Sequence, residues 1–167
     1  MFNSLADFFR FWHEEAAKTQ QILDGLTDES LQQQVTADHR TLGRLAWHLT
    51  TTLDEMMGHA GLKFEASEFG SPMPKTANAI AEAYRKSNES MVAAMQEQWS
   101  DRTLAEERDM YGEMWTVSAV LTTLITHQIH HRGQMTVLMR QAGLKVPGLY
   151  GPAKEEWAAI GQPAPEV

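Results

Sequence analysis

The chain has 167 residues, the size of one domain, and 1–167 is expected to fold around a single core that needs no covalent staple. It holds no cysteine, which excludes disulfides, thiolate metal ligands and cysteine nucleophiles together. Fourteen basic residues against 22 acidic ones give a formal charge of −8 with no basic cluster, so nucleic acid is not an expected partner.

From the N-terminus, "MFNSLADFFRFWHEEAAK" turns acidic too soon for a signal peptide. No stretch reaches the roughly 18–20 apolar residues of a membrane span, so no membrane partner and a cytoplasmic location are expected. Ser4 caps a first helix over 4–24, with Leu5, Phe8, Phe9, Trp12, Ala16 and Leu23 at helical spacing. Gly25 reads as its left-handed stop. "LTDESLQQQVTADHR" is a connector with room for one helical turn. A second helix starts near Thr41 and ends near Gly58 or Gly61. Gly70, Pro72 and Pro74 make the next segment a loop. Thr76 caps a third helix carrying Ile80, Tyr84, Met91 and Met95 as one stripe. "DRTLAEERDMYGEMWTV" admits two short extended pieces turning at Gly112. The fourth helix spans 116–141 and stops at Gly143; the tail then holds a short helix opened by Pro152. Four such helices in one small chain predict an all-α four-helix bundle with a short extra C-terminal helix.

The fourth helix contains "ITHQIHHRGQM", three of the chain's seven histidines in an otherwise apolar setting. On a wheel of about 100° per residue, His127 and His131 share a face with Val120, Thr123, Gln134 and Leu138. That places them in the middle of an apolar stripe. Their i, i+4 spacing stacks two imidazoles on one side of the helix, which is how a helix presents a pair of nitrogens to one cation. An H-x-x-x-H pair alone is equally the pattern of two hydrogen-bonded core histidines. Buried imidazoles need partners for their ring nitrogens, and one cation satisfies two acceptors together. His48, beside Leu45, Leu49 and Leu53 on the second helix, supplies a third ligand once the bundle forms. Three histidines leave a coordination position open, the arrangement of catalytic rather than structural metal sites. His13, His39 and His59 sit at element ends, and His130 lies on the flank. Arg132 points to the far side with Ile125, Ile129, Thr136 and Arg140, as a salt-bridge or interface residue. Gly133, unusual inside a helix, fits a close helix contact. Gln134 is placed either to hydrogen-bond a ligand or to be satisfied by backbone.

"RTLGRLAWHL" and "HQIHHRGQMTVLMRQAGLKVP" together resemble the DinB/YfiT-like superfamily of four-helix-bundle metalloproteins. The second motif, H-x-x-x-H-R-G-Q followed by a helix stop and a proline, is the more specific. The likeness spans most of the chain and fades over "DRTLAEERDMYGEMW" and the tail. It implies a divalent cation, nickel or zinc, held by His48, His127 and His131. It also implies homodimers formed by packing bundle helices, with Ile125 and Ile129 as candidate contacts. The other reading has those two residues packing on the same chain.

Characterised members of such a family include S-transferases that use low-molecular-weight thiols such as bacillithiol. The resemblance therefore implies a metal-dependent enzyme transferring a thiol cosubstrate to an electrophilic small molecule. A metal-dependent hydrolase and a non-catalytic metal-binding or stress-response protein are the alternatives. Because the chain has no cysteine, any sulfur nucleophile must come from a cosubstrate. Glu55, Glu113, Trp115 and Tyr150 are the side chains that could rim the site, each equally readable as surface or packing. None of them is assigned as a general base.

Overall fold

The computed structural model describes residues 2–166; the two end residues of the expected 1–167 domain lie outside this range. Four long helices form: α1 (Leu5–Asp24), α2 (Leu42–His59), α3 (Ala77–Gln98) and α4 (Val117–Gln141). Each starts at a Ser or Thr whose hydroxyl accepts the backbone N–H three residues on. The four caps are Ser4, Thr41, Thr76 and Thr116. Such a cap satisfies one of the orphan donors of the first turn and stabilises a helix by about 1 kcal/mol.

The chief packing partners of α1 are α3 and α4, and α2 packs on the same two helices. Consecutive helices α1 and α2 are therefore diagonal in the bundle, as are α3 and α4. Crossing a diagonal needs a long connection. Residues 25–41 make the first crossing and include a 3-10 turn at Glu29–Gln32. The second crossing carries a 3-10 turn (Asp101–Ala105) and an antiparallel hairpin, β1 (Glu107–Met110) with β2 (Glu113–Thr116). Tyr111 and Gly112 close the hairpin with φ of 61° and 91°, as a two-residue turn with both positions left-handed requires. The sequence placed this turn correctly.

The core is filled by Phe8, Trp12, Leu49, Leu53, Ile80, Tyr84, Met91, Leu121 and Leu124 among others. Full burial of one such side chain contributes about 1.5–3 kcal/mol. Phe8 stacks on Trp12, and the Trp12 indole N–H donates to Asn88 Oδ1 at 2.7 Å.

Three expectations are corrected. Gly25 is not left-handed, at φ −83°. A side chain there would meet the Met139 methyl at 3.2 Å, so the glycine serves the approach of α4 rather than a backbone twist. Gly133 faces open space and makes no close helix contact. The C-terminal helix is a 3-10 helix, Lys154–Ile160, that begins two residues after Pro152.

The face of α4 is corrected as well. Its buried line runs Leu121, Ile125, Gln128, Arg132, Met135, Met139. The histidines stand at the edge of that line, partly buried, rather than at its centre. Ile125 and Arg132, expected on the far side, are 4% and 1% exposed. Ile129 is half-buried and packs against the core, and it shares a groove with Val146 and Leu149 of the chain's own tail. Ile125, and in part Ile129, thus pack within the chain.

Candidate metal centre

His48 reaches the site from the middle of α2, and His127 and His131 from successive turns of α4. The three rings converge edge to face, with centroids 4.4–4.9 Å apart. His127 Nε2 lies 3.0 Å from His48 Nε2 and 3.1 Å from His131 Nε2. Nitrogens about 2.1 Å from one cation stand about 3.0 Å apart in octahedral and about 3.4 Å apart in tetrahedral geometry, so the two spacings are close to those a common divalent ion imposes. These three form the one such cluster of metal-ligating side chains among the described residues.

The remaining ring nitrogens set the tautomers. Gln134 Oε1 accepts from His131 Nδ1–H at 2.7 Å, which leaves the Nε2 lone pair pointing inward. A hydrogen bond between Gln134 and one of these histidines was one of the two readings the sequence left open. Thr52 Oγ1 stands 3.4 Å from His48 Nδ1 and donates to the His48 carbonyl at 2.7 Å. His127 Nδ1 is buried without a hydrogen-bond partner among the described residues.

All three imidazoles are held neutral. Burial, then the neighbouring imidazoles and the positive charge of Arg40 and Arg44, pushes His48 down to about 3. Burial, then His131 and His130, pushes His127 down to about 4. Burial, against the Gln134 hydrogen bond and together with His130 and Arg40, holds His131 below its ordinary value. Neutral nitrogens are the form that binds a cation.

Behind the histidines runs a buried polar network that the sequence reading missed. Gln128 Nε2 donates to the Leu49 carbonyl at 3.2 Å, which ties the residue after His127 to the residue after His48. Thr19 Oγ1 of α1 donates to Gln128 Oε1 at 3.0 Å and accepts from Arg132 Nη1 at 2.8 Å. Arg132 pairs with the Glu15 carboxylate and donates to the Tyr150 hydroxyl. Burial opposes the Glu15 charge, but hydrogen bonds from Lys18, Tyr150 and Arg132 hold its carboxyl below the usual range. Burial and the Glu15 charge push the Tyr150 phenol up to about 12. Tyr150 thus belongs to this network and not to the rim of the centre. The available signal was the spacing of Gln128 and Arg132 with Leu121, Ile125, Met135 and Met139, two polar residues in an otherwise apolar line.

Two clefts open beside the histidines. One, of about 330 Å³, is lined by Arg40, Arg44, His48, Glu55, Phe69 and Ser71 among others. Its outer wall is tied to α2 by the Trp47 indole N–H donating to the Ser71 carbonyl at 2.9 Å, and by Asp54 accepting from Phe69 N at 2.9 Å. The second, of about 500 Å³, is lined by Val35, Leu45, His131, Gln134, Val137 and Leu138 among others. Glu55 therefore stands in a cleft beside His48, one of the two readings the sequence left open. Glu113 instead accepts from the Trp115 indole on the hairpin, at 3.1 Å. Arg40 and Arg44 were not singled out from sequence, because exposed arginines near a helix start carry no periodic signal.

The family model for the DinB family matches residues 1–166. The chain belongs to the DinB family. This DinB-family chain is 47% identical over 167 residues to the uncharacterized protein YrdA of Bacillus subtilis (strain 168), covering all of both chains. Its fold is similar to the crystal structure of a DinB-like protein from Bacillus cereus ATCC 10987. The TM-score there is 0.87 at 48% identity, covering 90% of this chain and 100% of that one. A DinB-like protein of B. subtilis, YjoA, shares the fold at a TM-score of 0.65 and 23% identity, over 81% of this chain and 92% of that one. The all-α bundle read from the helical periodicity is the fold these relatives share. No helix among the described residues is long and apolar enough to cross a membrane.

Proposed function

We propose that His48, His127 and His131 hold a divalent cation, nickel or zinc, and that the protein is a metal-dependent enzyme. Its most economical reaction is transfer of a low-molecular-weight thiol, such as bacillithiol, to an electrophilic small molecule. The observation that carries the reading is that His127 Nε2 lies 3.0 Å from His48 Nε2 and 3.1 Å from His131 Nε2, the three ligand atoms all within 4.8 Å of one another, with clefts beside them large enough for small molecules.

A divalent cation bound by three neutral ligands keeps its full charge and lowers the pKa of a bound thiol or water. The chain's own residues do the rest. Gln134 orients His131, and the Gln128 bridge to Leu49 fixes α4 against α2, so the ligands from two helices stay in register. Leu45 and Leu138, both buried, make the apolar wall on one side of the centre. With no cysteine in the chain, the sulfur nucleophile comes from the cosubstrate.

The first test is metal analysis of the purified protein after chelation and re-addition of nickel or zinc. Wild type should retain about one equivalent, and His127→Ala and His131→Ala should retain none. Equal trace metal in all three would remove the site. Loaded protein is then screened with several thiols against a model electrophile. Conjugation that requires both metal and thiol supports the transferase; hydrolysis without thiol moves the assignment to a hydrolase.

A further inference from the structure

The two clefts beside the histidines differ in character, and Arg40 lines both. In the larger one, Val35 and Val137 are 63% and 54% exposed, two apolar side chains left facing water across one cavity. In the smaller one, Arg40 and Arg44 stand beside His48. Arg10, Arg85, Arg108, Arg132 and Arg140 all hold carboxylates; among the described residues Arg40, Arg44 and Arg102 are in no ion pair, and of these Arg102 lines neither cleft. That is notable in a chain with 22 acidic residues and only 14 basic ones, where carboxylates are in surplus.

Position along α2 sharpens the contrast. Arg44 lies one turn before His48, about 6 Å of helix rise. Glu55 lies on the other side of His48, about 10 Å of rise away. The cleft is therefore cationic at one end and acidic at the other, with the candidate metal centre between. Asp38 shares the larger cleft. Both acids would repel a second negative charge on a ligand.

We propose that the substrate of this centre is an amphipathic monocarboxylate, its carboxylate held by Arg40 and Arg44 and its apolar body lying against Val35 and Val137. The inference rests on the metal-centre reading above for its orientation, since it places the middle of the ligand beside the three histidines. A guanidinium offers paired N–H donors in the geometry a carboxylate accepts. The apolar wall would then select chain length.

Hexanoate, hexanol and acetate serve as probes, followed by saturation-transfer NMR on metal-loaded and on chelated protein. Hexanoate should bind, and hexanol and acetate should bind at least about tenfold more weakly, because each lacks one half of the recognition. Arg40→Met with Arg44→Met should weaken hexanoate at least about tenfold while leaving metal content and circular dichroism unchanged. Val137→Asn should weaken hexanoate and leave acetate unaltered. The proposal is overturned if hexanol binds as well as hexanoate. Hexanoate binding that survives the double arginine substitution overturns it too, including binding that depends only on the metal. Protein that takes up no metal but still binds hexanoate through the arginines would defeat the metal reading and keep this one. Metal-loaded protein that ignores hexanoate would do the reverse.

Discussion

At the scale of single residues, two glycines in the helices play opposite parts. Gly43, in the first turn of α2, faces the 3-10 turn, and a side chain there would meet both the Leu31 carbonyl and Leu31 Cβ at 3.0 Å. The backbone oxygen cannot swing aside. Gly43→Ala should therefore destabilise the protein by about 1–3 kcal/mol through overpacking. It should also shift the connector that carries Arg40. Gly133 has open space around it in the middle of α4. Gly133→Ala should stabilise by about 0.5–1 kcal/mol, the helix-propensity difference with no clash to offset it. Urea denaturation of the two variants checks both signs at once. A stabilised Gly43→Ala or a destabilised Gly133→Ala would contradict the packing described.

Elements were legible in proportion to how local their signals are. Ser4, Thr41, Thr76 and Thr116 announce helix starts because a cap needs only its own first turn. The turn at Tyr111–Gly112 was readable for the same reason. That His48, His127 and His131 meet could be read from the i, i+4 spacing of the pair and from a third histidine on a partner helix, because a bundle brings distant helices together. The face of α4 was not legible. Gln128 and Arg132 belong in the core only because Thr19 and Glu15 of α1 and Tyr150 of the tail satisfy them, and no window of sequence contains those partners. This network makes its own prediction at the element scale, where it joins α1 to α4. Arg132→Met removes the guanidinium partner of Glu15 but leaves Lys18 and Tyr150 on the carboxylate, which should lower stability by about 1–3 kcal/mol. Pairing it with Glu15→Leu should recover part of that loss, since the buried carboxylate that Arg132 served is gone. A double variant as unstable as the sum of both single ones would mean that the two side chains act independently rather than as a pair.

For the whole molecule, the proposed centre links folding, protons and metal. In the metal-free protein His48 and His127 are held at about 3 and about 4, chiefly by burial and then by nearby positive charge. Exposed in the unfolded chain they titrate near about 6.5. Between those values the unfolded state binds more protons than the folded one, so acid favours unfolding. Their contribution to stability is complete above about pH 6.5 and is lost progressively as pH falls toward about 4 and about 3. Chelated wild type should therefore melt lower at pH 5 than at pH 7. His48→Asn and His127→Asn should each flatten that slope, because each removes one proton-binding group from the unfolded chain. Adding nickel or zinc at pH 7 should raise Tm. At a cation concentration of about 100 Kd the gain is about 2.7 kcal/mol, or roughly 5–10 °C for a chain of this size. That increment should shrink as pH falls, since protons and cation compete for the same three nitrogens. Melting curves of the loaded and chelated forms across pH 5–8 measure both effects. A metal increment that stays constant with pH would mean that the cation is held elsewhere.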